Sequence, residues 1–295
     1  VAMGGGSPID AAKAMWIKYE YPDITFEDMC KVFGLPKLRN KAHFCAIPST
    51  SGTATEVTAF SIITDYAKGI KYPIADFEIT PDVAIVDPEL AETMPKKLVA
   101  HTGMDAMTHA IEAYVSTANC DYTDPLALHA IKMIDTDLVK SYNGDTDARA
   151  SMHNAQCLAG MAFSNALLGI VHSMAHQLGA VYDTPHGIAN AMLLPTVMRF
   201  NGENPETAQR FREILCEIGR PDAAHLNDQD VINTFVWMIS ELSKAVGITT
   251  TIKDYGAKKE DFEMLAEKAM NDPCKPGNPR EVTKEQFIEL YRRAM

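Results

Sequence analysis

The chain has 295 residues, 46% of them hydrophobic, which is enough for about two domains with a sizeable buried core. It carries 27 Lys and Arg against 39 Asp and Glu, a formal net charge of −12, and no block rich in Lys or Arg. That balance excludes the basic surface of a typical nucleic-acid-binding protein and gives no attraction to anionic membranes. We therefore expect a small-molecule partner, with no nucleic acid and no membrane.

Six cysteines lie far apart along the chain, and no Cys-x-x-Cys pair occurs. This is typical of reduced thiols in a cytoplasmic protein rather than of a secreted disulfide framework. The longest apolar stretch, residues 157–171, is interrupted by Ser164 and Asn165 and is shorter than the roughly 20 residues that a membrane-spanning helix needs. The sequence thus predicts no transmembrane segment, and its first residues lack the pattern of a signal peptide.

Short apolar runs alternate with helical stretches in the first third of the chain, which indicates an α/β part containing a parallel sheet. The predicted elements are a strand at 1–3, a helix at 8–19 and strands at 44–47, 61–64 and 83–86. After about Pro95 the pattern is helical throughout, with start signals such as the capping box Thr283-x-x-Gln286. We predict a partial α/β dinucleotide-binding domain over 1–95 and an all-α domain over 96–295.

Three glycines, at positions 4 to 6, follow the first strand and precede the first helix. With Ser7 as the predicted N-cap and Asp10 in the first turn, the exposed amides of this loop could hold a phosphate. Glycine-rich strand-to-helix turns also exist for close packing alone, so this loop by itself favours neither interpretation.

A second loop, residues 49–56, offers five hydroxyl groups around one glycine and follows the strand that ends at Ile47. Thr53 and Glu56 have the spacing of a capping box, which is a purely structural explanation. Two such loops at strand ends weigh more than either one alone, because open α/β sheets bind ligands there.

Acidic and imidazole side chains concentrate in two helical stretches. Asp105 and His109 are four residues apart, as are His172 and His176, and His186 follows in a Thr-Pro-His-Gly segment. Residues four apart share one helix face, which suits a metal or an ion pair. An isolated histidine is more often structural. This concentration of His and Asp near apolar helix surface favours a functional site instead, because buried polar groups without partners are costly.

Imidazole nitrogens with a carboxylate suit Fe, Zn, Co or Ni better than calcium or magnesium. The spacing alone does not identify the metal. It also does not show whether His172 or His176 is a ligand.

Four motifs together resemble the iron-dependent (group III) alcohol dehydrogenases, a family with a dehydroquinate synthase-like architecture. The resemblance runs from Gly4 to Met295. It is carried by Gly4-Gly5-Gly6-Ser7-Pro8-Ile9-Asp10-Ala11-Ala12-Lys13, by Pro48-Ser49-Thr50-Ser51-Gly52-Thr53 with Glu56-Val57-Thr58, by Gly103-Met104-Asp105-Ala106-Met107-Thr108-His109-Ala110-Ile111-Glu112, and by His172-Ser173-Met174-Ala175-His176 with Pro185-His186-Gly187.

The resemblance implies that one divalent metal is held by Asp105, His109, His172 and His186. His176 then becomes a neighbouring catalytic candidate, which would either relay the alcohol proton or orient the ligands. Four protein ligands leave a five- or six-coordinate ion room for substrate, which favours Fe(II) over tetrahedral zinc, although zinc could be bound on isolation.

The resemblance also implies a nicotinamide coenzyme on the two loops. Its expected contacts are Gly5, Gly6, Ser7, Asp10, Ser49, Thr50, Thr53 and Lys71. Family members carry a further α/β segment before the glycine loop, with an acidic residue that binds the adenosine ribose. That segment is not in this sequence, so the choice between NAD and NADP is not readable.

The expected activity is the interconversion of a primary alcohol or diol and its aldehyde with NAD(P)(H), by a homo-oligomer. Two alternatives stay open. One is a glycerol dehydrogenase or dehydroquinate synthase type of activity, which the Asp-His-His-His set disfavours. The other is a chain that keeps its metal but binds the coenzyme too weakly for turnover.

Overall fold

The structure is a computed structural model and describes residues 1–65 and 70–295; the side chains of residues 70 and 71 also lie outside the described part. In its first third, three short strands form a parallel sheet with the order β1-β2-β5. They are β1 (Ala2–Gly4), β2 (Cys45–Pro48) and β5 (Val83–Ala84).

The first helix, α1 (Gly6–Glu20), packs its apolar face on this sheet, and Ile9 and Ile17 are fully buried there. It begins two residues before the predicted start. Its N-cap is Gly5 rather than Ser7, and no side chain caps it. Gly4, with φ 153°, turns the chain into the helix directly after β1, so Ser7 already lies in the first turn. The four-residue helix α2 (Phe26–Met29) follows.

The predicted strand at 61–64 is part of a separate hairpin. The strand β3 (Phe60–Asp65) pairs antiparallel with β4 (Ile70–Ala75), a strand that the sequence pattern did not predict. Pro73 within β4 weakens its strand pattern, because proline cannot donate to a ladder and belongs on sheet edges. The described hairpin is two-stranded, so Pro73 has an edge position available.

The α-helices of the remaining part pack around an apolar core to which α3, α7 and α9 contribute the most buried side chains. They are α3 (Lys96–Val115), α4 (Asp124–Tyr142), α5 (Thr146–Ala166), α6 (Ile170–Tyr182), α7 (His186–Asn201), α8 (Pro205–Glu217), α9 (Asp228–Ala245), α10 (Phe262–Met270) and α11 (Lys284–Arg293). The predicted capping box is present at the start of α11, where the Thr283 hydroxyl accepts from the Gln286 amide.

Within the described residues, no single helix is long and apolar enough to cross a membrane. The helices α5 and α6 together have the length and apolar composition of a membrane span, but the chain bends by 105° between them.

Candidate metal and coenzyme site

Asp105, His109, His172 and His186 meet at one point in the structure. One potential ligand atom from each lies within 4.8 Å of the others. The first three side chains are buried, whereas the side chain of His186 is 31% exposed. The cluster is therefore shielded from solvent except on the side of His186.

Three helices supply the four side chains. Asp105 and His109 lie one turn apart on α3, His172 lies in the first turn of α6, and His186 begins α7. The start of α7 lies very close to α3: a Cβ atom on Gly187 would be 2.1 Å from the carbonyl oxygen of His101. A glycine is required after His186 because any side chain would push α7, and this histidine with it, away from Asp105.

The chemistry of the cluster fits a divalent transition metal. Burial lowers the pKa of His172 well below 6.5, so that its imidazole is neutral and offers a lone pair. The amide nitrogen of Asn190 lies 2.7 Å from Asp105 Oδ1, 3.1 Å from His172 Nε2 and 3.3 Å from His186 Nε2. These three acceptors converge on one position, as ligand atoms must.

One polar atom of the cluster is without a partner. His109 Nδ1 is buried and makes no hydrogen bond within the described part of the chain. A buried polar group left unpaired is costly. Three imidazoles and one carboxylate suit iron or zinc and are a poor shell for calcium or magnesium.

His176 lies beside the cluster, with its ring 5.5 Å from that of His186. Its Nδ1 is 2.9 Å from Asp272 Oδ2. Because Asp272 occupies one ring nitrogen, the other nitrogen is left for the adjoining cavity, which His176 lines. Asp272 and Cys274 also lie within 4.8 Å of His176 by one potential ligand atom each. Burial raises the pKa of the Cys274 thiol well above 9, which keeps it protonated.

A cleft joins the Asp105–His109–His172–His186 cluster to the glycine loop. Its cavity has a volume of about 250 Å³ and is lined by the four clustered side chains and by Gly6, Ser7, Asp10 and Thr53. A second cavity of about 520 Å³ adjoins it and shares His176 and Pro273 as walls. The glycine loop and the four clustered side chains thus line the same cavity, an arrangement that suits coenzyme-dependent redox chemistry.

The glycine loop and the hydroxyl loop pack against one another. The Ser49 amide donates to the Gly4 carbonyl at 2.8 Å, and a Cβ atom on Gly5 would lie 3.2 Å from the Thr50 side chain. The capping box expected between Thr53 and Glu56 is not formed. The short 3-10 helix at Thr55–Val57 has Ala54 as its N-cap, without a side-chain cap, and Glu56 accepts from Gln156 instead.

Only some of the eight residues expected to bind the coenzyme line the cleft. Gly6, Ser7, Asp10 and Thr53 line the cleft, whereas Gly5, Ser49 and Thr50 lie in the two loops beside it. Asp10 is also engaged in the protein, since it accepts from the Thr55 hydroxyl at 2.6 Å and from the Ile62 amide at 3.1 Å. The side chain of Lys71 lies outside the described residues.

An apolar wall of the cleft adjoins the cluster. Phe163 stacks on the ring of His109 at 4.3 Å between ring centroids and on Phe60 at 6.2 Å. Leu167 and Leu168 continue this wall after α5. Such an apolar surface can keep water away from the four clustered side chains and pack against an apolar group.

The sequence motifs predicted no role for four residues that lie at the site: Glu112, Asn190, Asp272 and Cys274. Glu112 lies three residues after His109 and Asn190 four residues after His186, so helix periodicity could have indicated both. Asp272 is 96 residues from His176, and no local pattern connects them.

A cleft that joins a glycine-rich strand-to-helix loop to a cluster of three histidines and one carboxylate defines a metal- and dinucleotide-dependent oxidoreductase. Comparison with known families agrees: the "Fe-containing alcohol dehydrogenase family, C-terminal" model matches residues 99–295 and the "Iron-containing alcohol dehydrogenase" model matches residues 1–88. The chain belongs to the iron-containing alcohol dehydrogenase family.

Individual relatives cover nearly the whole chain. It is 56% identical to an NADPH-dependent butanol dehydrogenase of Clostridium saccharobutylicum, over 99% of this chain and 75% of that protein. It is 43% identical to lactaldehyde reductase of Escherichia coli (strain K12), over 100% of this chain and 76% of that protein. A crystal structure of 1,3-propanediol oxidoreductase has a TM-score of 0.92 and 38% identity, over 99% of this chain and 76% of that one.

These findings confirm the predicted family, the fold class of an α/β part followed by a helical part, and the enzyme class. They also confirm the predicted cofactor classes, iron and NAD(P).

Proposed function

We propose that this chain interconverts a primary alcohol or diol and its aldehyde at the iron site formed by Asp105, His109, His172 and His186. The observation that carries the proposal is the convergence of these four side chains at one end of a cleft whose other end is the glycine loop. In this assignment residues 1–95 hold most of the coenzyme and residues 96–295 hold the metal.

Bound Fe(II) supplies Lewis acidity toward an alcohol or carbonyl oxygen, and the nicotinamide supplies hydride transfer. The amides of Gly5 and Gly6 and the hydroxyl of Ser7 are proposed to bind the pyrophosphate, because they lie at the amino end of α1. The Thr53 hydroxyl is proposed to join them, because Thr53 packs directly against Gly6. Ser49, Thr50, Asp10 and Lys71 are proposed to contact other parts of the coenzyme or to hold its loops.

His176 is proposed to move the alcohol proton. The Asp272 carboxylate accepts from its Nδ1, so the imidazole can accept or release a proton at Nε2 on the cavity side. The wall of Phe60, Phe163 and Leu168 is proposed to bind the alkyl part of the substrate and to keep water from the reacting carbon. The name of the butanol dehydrogenase supports a short aliphatic alcohol as the first substrate to test.

A cytoplasmic homo-oligomer is part of the proposal. All six cysteines, each within the described residues, are free, which supports a reducing compartment. Sedimentation of the purified protein measures the oligomeric state directly.

The test compares the wild type with Asp105→Asn after removal of metal and anaerobic addition of Fe(II). We expect the wild type to bind about one metal per chain and to oxidise 1-butanol with NAD or NADP, and the variant to lose both properties. Unchanged metal occupancy and activity in Asp105→Asn would remove this residue from the site.

Titration of NADH and NADPH against the iron-loaded protein separates the remaining alternative. Binding of either coenzyme supports the dehydrogenase. If iron binds but neither coenzyme does, the chain is a metal-binding protein without turnover, and the proposed activity is wrong.

A further inference from the structure

Glu112 is a carboxyl group buried directly behind His172, on the side away from the cleft. Its side chain is 1% exposed, and its Oε2 lies 2.5 Å from His172 Nδ1. On the opposite side of the ring, His172 Nε2 lies 3.1 Å from the donor nitrogen of Asn190. The two nitrogens of this imidazole therefore face different chemical partners, an acceptor at Nδ1 and a donor at Nε2.

These two partners are compatible with one neutral tautomer. Nδ1 carries the proton and donates it to Glu112, which leaves the lone pair of Nε2 pointing into the Asp105 cluster. That lone pair is the one a metal would use.

The other oxygen of Glu112 holds the start of the helix that carries His172. Oε1 accepts from the Val171 amide at 2.8 Å. The N-cap of α6 is Gly169, which provides no side-chain cap. A Cβ atom on Gly169 would be 2.8 Å from Oε1, so the glycine leaves the space in which the carboxylate sits. Glu112 thus binds the first turn of α6 and the imidazole of that turn together.

We propose that Glu112 is the positioning residue of the metal site: it sets the tautomer and the ring orientation of His172 and so tunes the affinity for the metal. The inference rests on the proposed metal site and adds a residue that touches neither substrate nor coenzyme. Ligand histidines commonly donate their second ring nitrogen to a carboxylate, and loss of that partner typically weakens metal binding about 10- to 100-fold.

An amide cannot replace this carboxylate, although Gln has the same shape. If the Gln oxygen accepts from Val171, its NH₂ group faces Nδ1, which must then accept, and the proton moves to Nε2 where the metal should bind. If the Gln is turned round, its NH₂ group opposes the Val171 N–H. Metal binding needs the second arrangement, because only there is the Nε2 lone pair free. The Glu112→Gln variant must therefore bind metal with two N–H groups opposed, which weakens the binding.

The experiment measures metal affinity of the full chain by competition with a chelator, with Co(II) in air and Fe(II) under anaerobic conditions. We expect Glu112→Gln to bind either ion about 10- to 100-fold more weakly than the wild type. Glu112→Asp, which keeps the charge but not the reach, should lie between the two.

A matched control is Glu56→Gln. Glu56 is also a buried carboxyl, 1% exposed, and is bonded to Gln156 rather than to a metal ligand. The Glu56→Gln variant should bind metal with the same affinity as the wild type. Nitrogen-15 NMR of the metal-free protein gives a second readout: the proton of His172 should lie on Nδ1 in the wild type and on Nε2 in Glu112→Gln.

Failure of this inference is distinguishable from failure of the proposed function. A wild type that binds no metal overturns the proposed site. A wild type that binds metal, with a folded Glu112→Gln of equal affinity, overturns the role of Glu112 alone. If Glu112→Gln does not fold, Gly169→Ala displaces the carboxylate without removing its charge, and an unchanged affinity in that variant also overturns the role.

Discussion

Gly6 in the glycine loop lies directly against the side chain of Thr53 in the hydroxyl loop. A Cβ atom on Gly6 would be 2.9 Å from Thr53 Cγ2 and 3.1 Å from its Oγ1. Real Cβ atoms hardly ever approach other atoms to below 3.0 Å. The two loops expected to hold the coenzyme are therefore a single packed unit, and Gly6 is needed where they touch.

This contact predicts that Gly6→Ala weakens coenzyme binding at least about 10-fold, because a displacement of even about 1 Å disturbs the amides that would bind the pyrophosphate. Metal affinity should stay unchanged. Fluorescence titration with NADH and NADPH measures the effect. Thr53→Ser removes Cγ2 and should partly restore binding in the double variant. Wild-type coenzyme affinity in Gly6→Ala would show that the loops do not hold the coenzyme.

The His176–Asp272 pair predicts a catalytic effect without a metal effect. Asp272→Asn replaces the carboxylate that accepts from His176 Nδ1 by a weaker acceptor, so we expect kcat for alcohol oxidation to fall about 10- to 100-fold. The solvent deuterium isotope effect should rise as proton transfer becomes slower. Steady-state kinetics of the iron-loaded enzyme measure both quantities.

Asp261→Asn is the control for that variant, since Asp261 also bonds a residue of α6, the Tyr182 hydroxyl at 2.7 Å, but does not line the cleft. Its kinetics should equal those of the wild type. Equal kinetics in Asp272→Asn would exclude a role of the Asp272 carboxylate in proton transfer through His176.

Metal binding should stabilise the fold by mass action. A free metal concentration 100 times the dissociation constant adds about 2.7 kcal/mol to the free energy of unfolding. We expect thermal melts to shift upward with Fe(II), and His186→Ala, whose side chain is partly exposed, to lose most of this shift while its metal-free melt changes little. His225→Ala, an exposed histidine outside the cluster, should keep the full shift. A full shift in His186→Ala would exclude His186 as a ligand.

Lys13 should make stability depend on alkaline pH. The ammonium group is fully buried and donates to the carbonyl oxygens of Thr58 at 2.6 Å and Phe60 at 2.8 Å. Burial lowers its pKa from 10.5 to about 8, and the neighbouring Asp10 and Glu56 oppose the change.

The unfolded chain therefore keeps a proton that the folded chain has lost between about pH 8 and 10.5. More protons bound in the unfolded state mean that this group's contribution to stability rises with pH in that window. Lys13→Met orphans two carbonyl oxygens and should cost about 1–3 kcal/mol at pH 7. Its deficit relative to the wild type should widen up to pH 10, as measured by urea unfolding. A constant deficit would contradict the lowered pKa.

Much of this site was predictable because its determinants are local. The spacing of Asp105 and His109 places both on one face of α3, and the glycines after the first strand indicate a tight strand-to-helix turn. Family motifs then pointed to His186 rather than His176 as the fourth ligand, and the structure brings His186 into the cluster. The strand β4 escaped notice because Pro73 interrupts its pattern, and the N-cap of α1 was misplaced because Gly4 turns the chain earlier than Ser7 suggested.

The sequence by itself determined the succession of an α/β part and a helical part, the family, and the types of side chain available as ligands, because these follow from local periodicity and short motifs. Only the tertiary structure decided which side chain from elsewhere in the chain each clustered histidine and His176 meets. Glu112 and His172 are 60 residues apart in the sequence, and Asp272 and His176 are 96 residues apart, yet each pair is in contact. Such pairs depend on how helices pack against one another, and no spacing within one helix encodes the packing of two.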